Sequence, residues 1–490
     1  MMVRSSLFCA SLLVLVLTMP QAVAASPLWE WAGSPLSPGA FSGRLDATGA
    51  EAAYFNPALL RGQSSGVQFG ASVLAGRLSI DLDPRPSGVD IPASVYDARL
   101  EDADGRRSPL PTRPLATEEL PQCRGCSDPS FVQPHLSLGT TISLVEDRWT
   151  LGLLATVAAD QFAEQRPHFV DEREQYFSNS LHFERLGDRL VGASIAIGSG
   201  VKIADWLDAG VGVTMAQDAK SDNAVFTPDP TAPEDSRVNT GISVRTRAVP
   251  HLGVEARPGG DWKMVATVHA PFENRVDGVN ELRFWNFPAY PDGEDSLDQQ
   301  VGYVYDYLPL RMSAGVGHGW GDEEYGISAG ATVVFERWSQ YRDRQGETWP
   351  DQWRNTFRPT VFGNLTRGAQ SWAADVSYAP GAVRSQTGRT NFVDNHRLSL
   401  SGAWLRQMEW FGRLVQAGVQ VQGHWLIEQR EVKDLAAQQP VIDEFPESIH
   451  VQSGEAIAES LDFRTNNPGY PGYRASGLVF GAGLFLKTEF

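Results

Sequence analysis

The sequence has few cysteines, and after its first 24 residues it has no long apolar segment. Three cysteines among 490 residues exclude a small fold held together by many disulfides. No uninterrupted apolar run of about eighteen residues follows residue 24, which excludes a bundle of transmembrane helices. A net charge of -18 argues against a surface that attracts phosphates, so we expect no nucleic-acid partner.

Residues 1–24 have the features of a secretory signal peptide. Arg4 precedes the apolar stretch 7–19, and Ala22-Val23-Ala24 has the small-x-small pattern of a cleavage site. The alternative is a membrane anchor, but the stretch is shorter than the roughly twenty residues that span a bilayer. We expect cleavage near Ala25, which removes Cys9 from the mature chain.

The two remaining cysteines, Cys123 and Cys126, lie close together between prolines and charged residues. This spacing predicts a local disulfide in a loop. A thioredoxin-like redox pair lacks its βαβ context here, and half a zinc site lacks partner ligands nearby, but both remain alternatives.

Alternation of apolar and polar residues dominates the mature sequence. Between 415 and 422, valine and alanine alternate with glutamine and glycine, which is the pattern of a strand with one apolar face. The content of 47 glycines, 14 tryptophans and 23 phenylalanines also favours β structure. About fourteen strands are predicted, near 66–82, 131–144, 149–162, 190–203, 207–226, 237–257, 260–285, 301–318, 324–341, 355–367, 370–387, 392–407, 410–430 and 475–490.

The connections between these strands alternate between short and long. Short turns are predicted at 146–147, 205–206, 258–259, 319–323, 368–369 and 408–409. The largest long loops cover about 83–130, 163–189 and 431–474. A soluble β-sandwich explains the alternation of side chains but not this rhythm or the signal peptide. We therefore predict that residues 66–490 form an all-β, antiparallel transmembrane barrel of about fourteen strands.

The C-terminal strand is amphipathic and ends on an aromatic residue, Phe490. Such an end resembles the signal that outer-membrane barrels present to the barrel assembly machinery. Together with the signal peptide it predicts a protein of the outer membrane of a Gram-negative cell, in contact with lipid and lipopolysaccharide. Both mature termini are then expected on the periplasmic side.

The segment before the first strand, residues 25–65, has the length of a small plug. Its stretch 46–60, with the triplet Asn56-Pro57-Ala58, closely resembles the N-terminal hatch of the FadL family of outer-membrane transporters for long-chain fatty acids and toluene-type compounds. Further resemblances lie at 336–339 and 391–402. The triplet also has a local physical logic, because a proline fixes its own φ and biases the preceding asparagine away from helix.

The resemblance implies passive uptake of hydrophobic molecules, with long-chain fatty acids as the leading substrate and aromatic hydrocarbons as an alternative. It also implies that the hatch, with Asn56, Pro57 and Ala58, controls passage. In the family a kink in the third strand opens the wall toward lipid, which would fall within 149–162 here. A structural or surface-interaction barrel with a closed lumen is the competing hypothesis.

Apolar residues on the expected lumen side are candidates for contact with the substrate. They are Phe41, Phe55, Val265, Val334 and Phe485. For the three strand residues, packing against the hatch is an equally good explanation. Phe41 and Phe55 belong to the hatch itself, and for them anchoring of the plug is the preferred explanation.

We expect no enzymatic activity, no catalytic residue, no metal site and no cofactor. The run Gly326-Ile327-Ser328-Ala329-Gly330 matches a nucleophile-elbow pattern, but that motif needs a helix after the serine and here the strand pattern continues. The sequence has 36 arginines and 5 lysines. Arginines that point inward suit a carboxylate head group, although genomic bias explains the excess equally well.

Overall fold

The computed structural model describes most of the chain after the expected signal peptide. The described residues are 27–83, 100–101, 107–108, 130–159, 181–186, 190, 193–227, 236–285, 294–322, 324–343, 346–388, 390–410, 412–434, 436–437, 469 and 471–490. The predicted signal peptide and the predicted disulfide of Cys123 and Cys126 lie outside these residues. No described helix has the length and apolarity needed to cross a membrane.

Strands account for most of the described residues. In chain order they are β1 (Gly66–Leu82), β2 (Leu100–Glu101), β3 (Arg107–Ser108), β4 (Ser130–Val145), β5 (Trp149–Ala158), β6 (His182–Phe183), β7 (Ser194–Ala204), β8 (Leu207–Thr227), β9 (Arg237–Ala256), β10 (Trp262–His269), β11 (Phe272–Trp285), β12 (Glu294–Leu308), β13 (Arg311–Gly321), β14 (Tyr325–Glu336), β15 (Thr356–Arg367), β16 (Gln370–Ala379), β17 (Phe392–Val393), β18 (Arg397–Trp410), β19 (Arg413–Val432) and β20 (Gly472–Glu489).

Fourteen of these strands close into an antiparallel barrel. The ring runs β1-β4-β5-β7-β8-β9-β10-β13-β14-β15-β16-β18-β19-β20 and closes where β20 pairs with β1. Gly66 lies opposite Glu489, so the first and last strands begin and end at the same rim. The prediction of an all-β barrel of about fourteen strands is confirmed.

The observed strands follow the predicted ones closely, but β14 and β16 end at Glu336 and Ala379, earlier than predicted, and the predicted strand 392–407 is interrupted at 394–396. Three further differences concern two prolines and one turn. The predicted seventh strand is interrupted at Ala270–Pro271 and the eighth at Pro309–Leu310, because proline has no N–H to donate to a neighbouring strand. The predicted turn at Met408-Glu409 is wrong: β18 continues to Trp410, which pairs with Arg413, and Gly412 supplies the positive φ of 71° that the turn needs.

The outer face of the barrel is apolar, and aromatic side chains ring one end. On β20 the exposed residues Leu478, Phe480, Leu484 and Leu486 point outward, so the alternation in the sequence sorts apolar side chains to the outside. The rim with the short turns carries exposed aromatics at Trp149, Trp206, Trp262, Trp320, Tyr325, Trp410 and Phe490. An apolar band with an aromatic girdle is typical of a barrel that spans a membrane.

The N-terminal segment fills the lumen. It contains three short α-helices, α1 (Pro27–Ala32), α2 (Gly43–Asp46) and α3 (Ala52–Phe55), followed by a 3-10 helix at Pro57–Leu60. Nearly every residue of these helices is buried. We call residues 27–65 the hatch, which is the described part of the predicted segment 25–65.

Candidate functional site

The hatch rests on glycines that face the lumen. We name Gly152, Gly198, Gly200, Gly210 and Gly253 the glycine seat; they lie on four adjacent strands, β5, β7, β8 and β9. A Cβ at Gly210 would lie 2.2 Å from the carbonyl carbon of Pro57, and one at Gly253 would lie 2.0 Å from the Asn56 side-chain oxygen. The missing side chains let the hatch approach the wall at van der Waals distance.

The predicted corner at Asn56-Pro57-Ala58 lies on this seat. Asn56 is fully buried and extended, with φ -160° and ψ 98°. Its side-chain nitrogen Nδ2 donates to the main-chain carbonyl oxygen of Arg44 at 3.1 Å, and its side-chain oxygen Oδ1 accepts from the Ala58 N–H at 3.2 Å. Asn56 therefore ties α2 to the 3-10 helix, while Pro57 starts that helix without needing a hydrogen-bond acceptor.

A second anchor is a buried charge cluster around Glu30 of α1. One carboxylate oxygen accepts from Arg44 at 2.6 Å, from the Tyr54 hydroxyl at 2.8 Å, and from Arg311 of the wall. The other accepts from Arg358 at 2.5 Å. These arginines and Glu30 are less than one-tenth exposed, so the pairs are shielded from water and salt.

The charges around Glu30 set its protonation state. Burial by itself raises the pKa of this carboxyl, but attraction by Arg44, Arg311 and Arg358 outweighs it and holds the pKa well below the usual value. Glu30 is therefore ionised at neutral pH. Its negative charge pairs with the wall residues Arg311 and Arg358 and so holds the hatch to the wall.

A small cavity lies above the hatch, at the end of the barrel away from the short turns. We call it the upper cavity; its volume is about 60 Å³, which holds a few water molecules. Its floor is α1 of the hatch, with Trp31. Its walls include Glu336 at the end of β14, Trp338 after that strand, Asp394 before β18 and Arg397 at the start of β18. Two stretches of family resemblance, 336–339 and 391–402, thus meet at one place.

The roof of the upper cavity comes from residues 183–186, which lie between β5 and β7. Strand β6 at the start of this segment pairs in parallel with β17, and the Glu184 N–H donates to the Val393 carbonyl at 2.9 Å. Arg185 donates to the Asp394 carboxylate at 2.6 Å. The roof is therefore attached to the wall both through the backbone and through an ion pair.

Arg397 is the unusual residue of the upper cavity. Its side chain is only 7% exposed, and its Nε and Nη1 have no hydrogen-bond partner. The guanidinium lies 4.3 Å from the ring centre of Trp31 in the hatch, a cation–π contact. A buried donor without an acceptor is costly, so these two nitrogens are suited to an incoming acceptor such as a carboxylate.

The five predicted substrate contacts do not gather at the upper cavity. Phe485 packs in one buried cluster with Trp29 of the hatch, and Val265 packs in another with Leu45 of the hatch. Phe55 is buried and contacts Tyr54 edge-on, with ring centres 5.1 Å apart.

The other two predicted contacts also lie on the lumen side. Phe41 is half-buried, and its N–H donates to Asp375 of β16 at 2.7 Å. Val334 is 3% exposed on β14. None of the five lines the upper cavity, so contact with substrate stays a prediction for all of them.

Reasoning from the sequence missed Glu30, Arg311, Arg358 and Arg397. The stretch 391–402 contains Arg397, and the general excess of arginine pointed to inward cations, but neither signal selected individual residues. The three arginines are among many on alternating strands, Glu30 lies on a helix of the hatch, and only closure of the barrel brings them together. Ser328 lies in the middle of β14 with strands paired on both sides, so it is not on a nucleophile elbow.

The third strand carries no gap in its described part. From Trp149 to Thr156, β5 pairs with β7 without a change of register, and Gly152 lies opposite both Thr141 and Gly198. The kink that the resemblance places within 149–162 is absent from this part of the strand, because hydrogen bonds on both sides keep it in the wall. Residues 160–162 lie outside the described residues.

Comparison with solved structures finds similar folds. A FadL homologue from Pseudomonas aeruginosa aligns with a TM-score of 0.50 at 14% identity, over 96% of this chain and 99% of that chain. The toluene transporter TodX of P. putida has a TM-score of 0.43 at 11% identity, covering 93% and 99%. The toluene transporter TbuX of Ralstonia pickettii has 0.41 at 11%, covering 96% and 100%.

Comparisons of sequence alone find no such relative. No protein-family model matches the chain, and no curated protein matches it significantly. The likeness is therefore one of architecture, and it extends over almost the whole of both chains. The resemblance indicated by the sequence motifs is confirmed at the level of the fold: the chain is a FadL-like β-barrel with a hatch in its lumen.

Proposed function

We propose that the protein is an outer-membrane transporter that takes up hydrophobic molecules passively, and that its preferred substrates carry an anionic head group, as long-chain fatty acids do. The observation that carries this proposal is Arg397, a buried arginine in the mixed polar and apolar lining of the upper cavity, with two donors that have no partner. A neutral aromatic hydrocarbon has no acceptor for these donors. A carboxylate can accept hydrogen bonds from both.

The lining of the upper cavity also suits an amphiphile. Phe183, Leu186 and Leu426 supply apolar surface beside Arg397. Binding sites of this type combine apolar walls with a few convergent polar groups that fix orientation. The present volume of about 60 Å³ is too small for a long acyl chain, so uptake requires the roof or the hatch to move.

The proposed orientation puts the short turns and both mature termini in the periplasm. The long connections then face outward, as in other outer-membrane barrels. The substrate enters at the upper cavity, and the glycine seat holds the hatch between that cavity and the periplasm. No energy source is needed, because the hydrophobic substrate moves down its own gradient.

The test is uptake of a labelled long-chain fatty acid and of labelled toluene by vesicles that contain the purified barrel. Wild-type protein is compared with Arg397→Met and with Arg406→Met, which changes an exposed, outward-facing arginine on the same strand. We expect saturable fatty-acid uptake that falls about tenfold or more in Arg397→Met, since a hydrogen bond to a charged group contributes about 1.5–3 kcal/mol. Toluene uptake should not change.

The alternatives give different results. Uptake of toluene alone, equal in both variants, favours an aromatic-hydrocarbon channel. No uptake of either compound by a folded barrel overturns transport and favours the surface-interaction hypothesis.

A further inference from the structure

Strand β9 continues past the outer ends of its neighbours in the wall and leaves one edge open. It has 20 residues, whereas a tilted strand crosses the apolar core of a membrane in about 9–11. On one side β10 pairs only with residues 251–256, because it ends at His269. On the other side β8 pairs with β9 over its whole length. Among the described strands, residues 237–249 therefore pair with β8 alone, and we call their other side the open edge.

The path of the chain after β10 explains why this edge is not covered by the next strand. Pro271 has no N–H to donate to β9. The chain then crosses the lumen side of β9, where the Arg247 side chain donates to the Glu273 carbonyl at 3.0 Å. β11 pairs in parallel with β8, on the side away from β9. A groove of about 490 Å³ remains beside Arg247, so the described residues leave room at the inner end of the open edge.

The outer face of β9 stays apolar beyond the part that a membrane core covers. Val238, Ile242 and Val244 lie on this face and are 66%, 70% and 48% exposed. A stretch of about 9–11 residues from the inner end of β9 reaches only to about residue 247. Exposed sheet edges are usually shortened, bulged or interrupted by proline. Residues 237–249 contain no proline and pair with β8 without a change of register.

The opposite face of this extension carries positive charge. Arg237, Arg245 and Arg247 lie on it, and all three are exposed. Arg247 lies 3.4 Å from Asp218 of β8. The side chains of Arg237 and Arg245 have no hydrogen-bond or ion-pair partner among the described residues. A strand added at the open edge would lie beside these guanidinium groups, where opposite charges stabilise a sheet and like charges destabilise it.

A second copy of the chain does not suit the open edge. Two barrels in one membrane have the same orientation, so their β9 strands cross it in the same direction and can pair only in parallel. Pairing in register would place Arg237 beside the same arginine of the other copy, and Arg245 likewise. Because like charges that face one another are destabilising, the edge favours a partner that carries carboxylates.

We propose that the open edge is a docking site for an extended acidic segment of another polypeptide at the cell surface, which adds to the sheet as a further strand. Its backbone pairs with the N–H and C=O groups of 237–249 that point away from β8. Its carboxylates lie beside Arg237 and Arg245, and its apolar side chains, on the other face, cover Ile242 and Val244. None of these residues lines the upper cavity, so docking is independent of the proposed transport.

The probe is a short fluorescent peptide in which glutamate and valine alternate, added to the purified full-length barrel in detergent micelles. Fluorescence anisotropy should show saturable binding. The same peptide N-methylated at every residue keeps its charges but cannot donate hydrogen bonds to β9. We expect it to bind at least about tenfold more weakly, because several backbone hydrogen bonds are lost.

Reversing the charge of the edge tests the role of the arginines. The double variant Arg237→Glu/Arg245→Glu should bind the glutamate peptide about tenfold more weakly and should bind a lysine-valine peptide instead. The matched control is Arg367→Glu/Arg413→Glu, which makes the same change of charge at two exposed arginines beside turns of the opposite rim. It should bind both peptides as the wild type does. Folding of each variant is checked by heat-modifiable migration in gels.

Two results would overturn the docking site. Equal binding of the N-methylated peptide would mean that the arginines attract polyanions by charge alone, without an added strand. No binding of the glutamate peptide to the folded wild type would leave Arg237 and Arg245 as charges that keep other strands away from an exposed edge. Binding that requires both the peptide N–H groups and the two arginines supports the proposal.

Discussion

Arg358 of the wall holds Glu30 of the hatch through two separate hydrogen bonds. One guanidinium nitrogen donates to the Glu30 carboxylate at 2.5 Å and the other to the Glu30 main-chain carbonyl at 2.8 Å. The same Arg358 lies 3.1 Å from Glu336 of β14. The hatch is thus joined to a wall residue that also lies in the lining of the upper cavity.

Replacing Glu30 with glutamine should loosen the hatch. The variant keeps the shape but leaves Arg44, Arg311 and Arg358 without their shared carboxylate, and breaking a buried ion pair costs about 3–5 kcal/mol. We expect channel openings in planar bilayers that the wild type does not show. Asp205→Asn, which removes an exposed ion pair with Lys202 at the turn rim, should show none. A silent Glu30→Gln channel would contradict the role of this cluster.

Acid should open the wild-type channel through the same group. Because the pKa of Glu30 is held well below its usual value, its contribution to hatch stability is fully present above the unfolded-state pKa. That contribution falls as the pH drops through the folded-state pKa. Conductance should therefore stay low from about pH 5 to 8 and rise only in strong acid. In Glu30→Gln this acid response should be absent, whereas its persistence there would assign it to another group.

The corner at Asn56 offers a test that involves no charge. Asn56→Ala leaves the Arg44 carbonyl and the Ala58 N–H without partners in a fully buried place, and each lost partner costs about 1–3 kcal/mol. We expect faster protease cleavage within the hatch in a barrel that still assembles. Asn223→Ala, a half-buried asparagine on β8 bonded to Asn280, is the control. Equal cleavage in both variants would remove Asn56 as an anchor.

Strand alternation predicted the barrel because the physical demand is repeated in every strand. One face of each strand must meet lipid and the other must face the lumen. Strands such as β19 and β20 can therefore be recognised from the alternation of neighbouring residues. The sequence shows the prolines at 271 and 309, but it does not show that the chain leaves the barrel wall between them. The parallel pairing of β11 with β8 depends on which strand edge is free above Thr214, and this follows only from the assembled barrel.

The candidate site was predictable in part for the same reason. Local backbone geometry marks Asn56-Pro57-Ala58, since a proline and a short amide impose a corner wherever they occur together. The Glu30 cluster has no local signature, because Arg311 and Arg358 are 281 and 328 residues away from Glu30 in the sequence. Arg397 differs from the other arginines of its strand only in the folded state, where it is buried and two of its nitrogens have no hydrogen-bond partner.

The glycine seat should fail when one methyl group is added. In Gly210→Ala the new Cβ would lie 2.2 Å from Pro57 backbone and 2.3 Å from the Ala58 nitrogen, so the hatch must shift, and forced overpacking costs about 1–3 kcal/mol. In Gly402→Ala the nearest atom is 4.0 Å away, and alanine suits a strand at least as well as glycine. Both variants should form heat-modifiable barrels, but only Gly210→Ala should show channel openings and faster hatch cleavage. Equal behaviour would mean that the hatch tolerates displacement from the wall, and that the seat contributes less to closure than the Glu30 cluster.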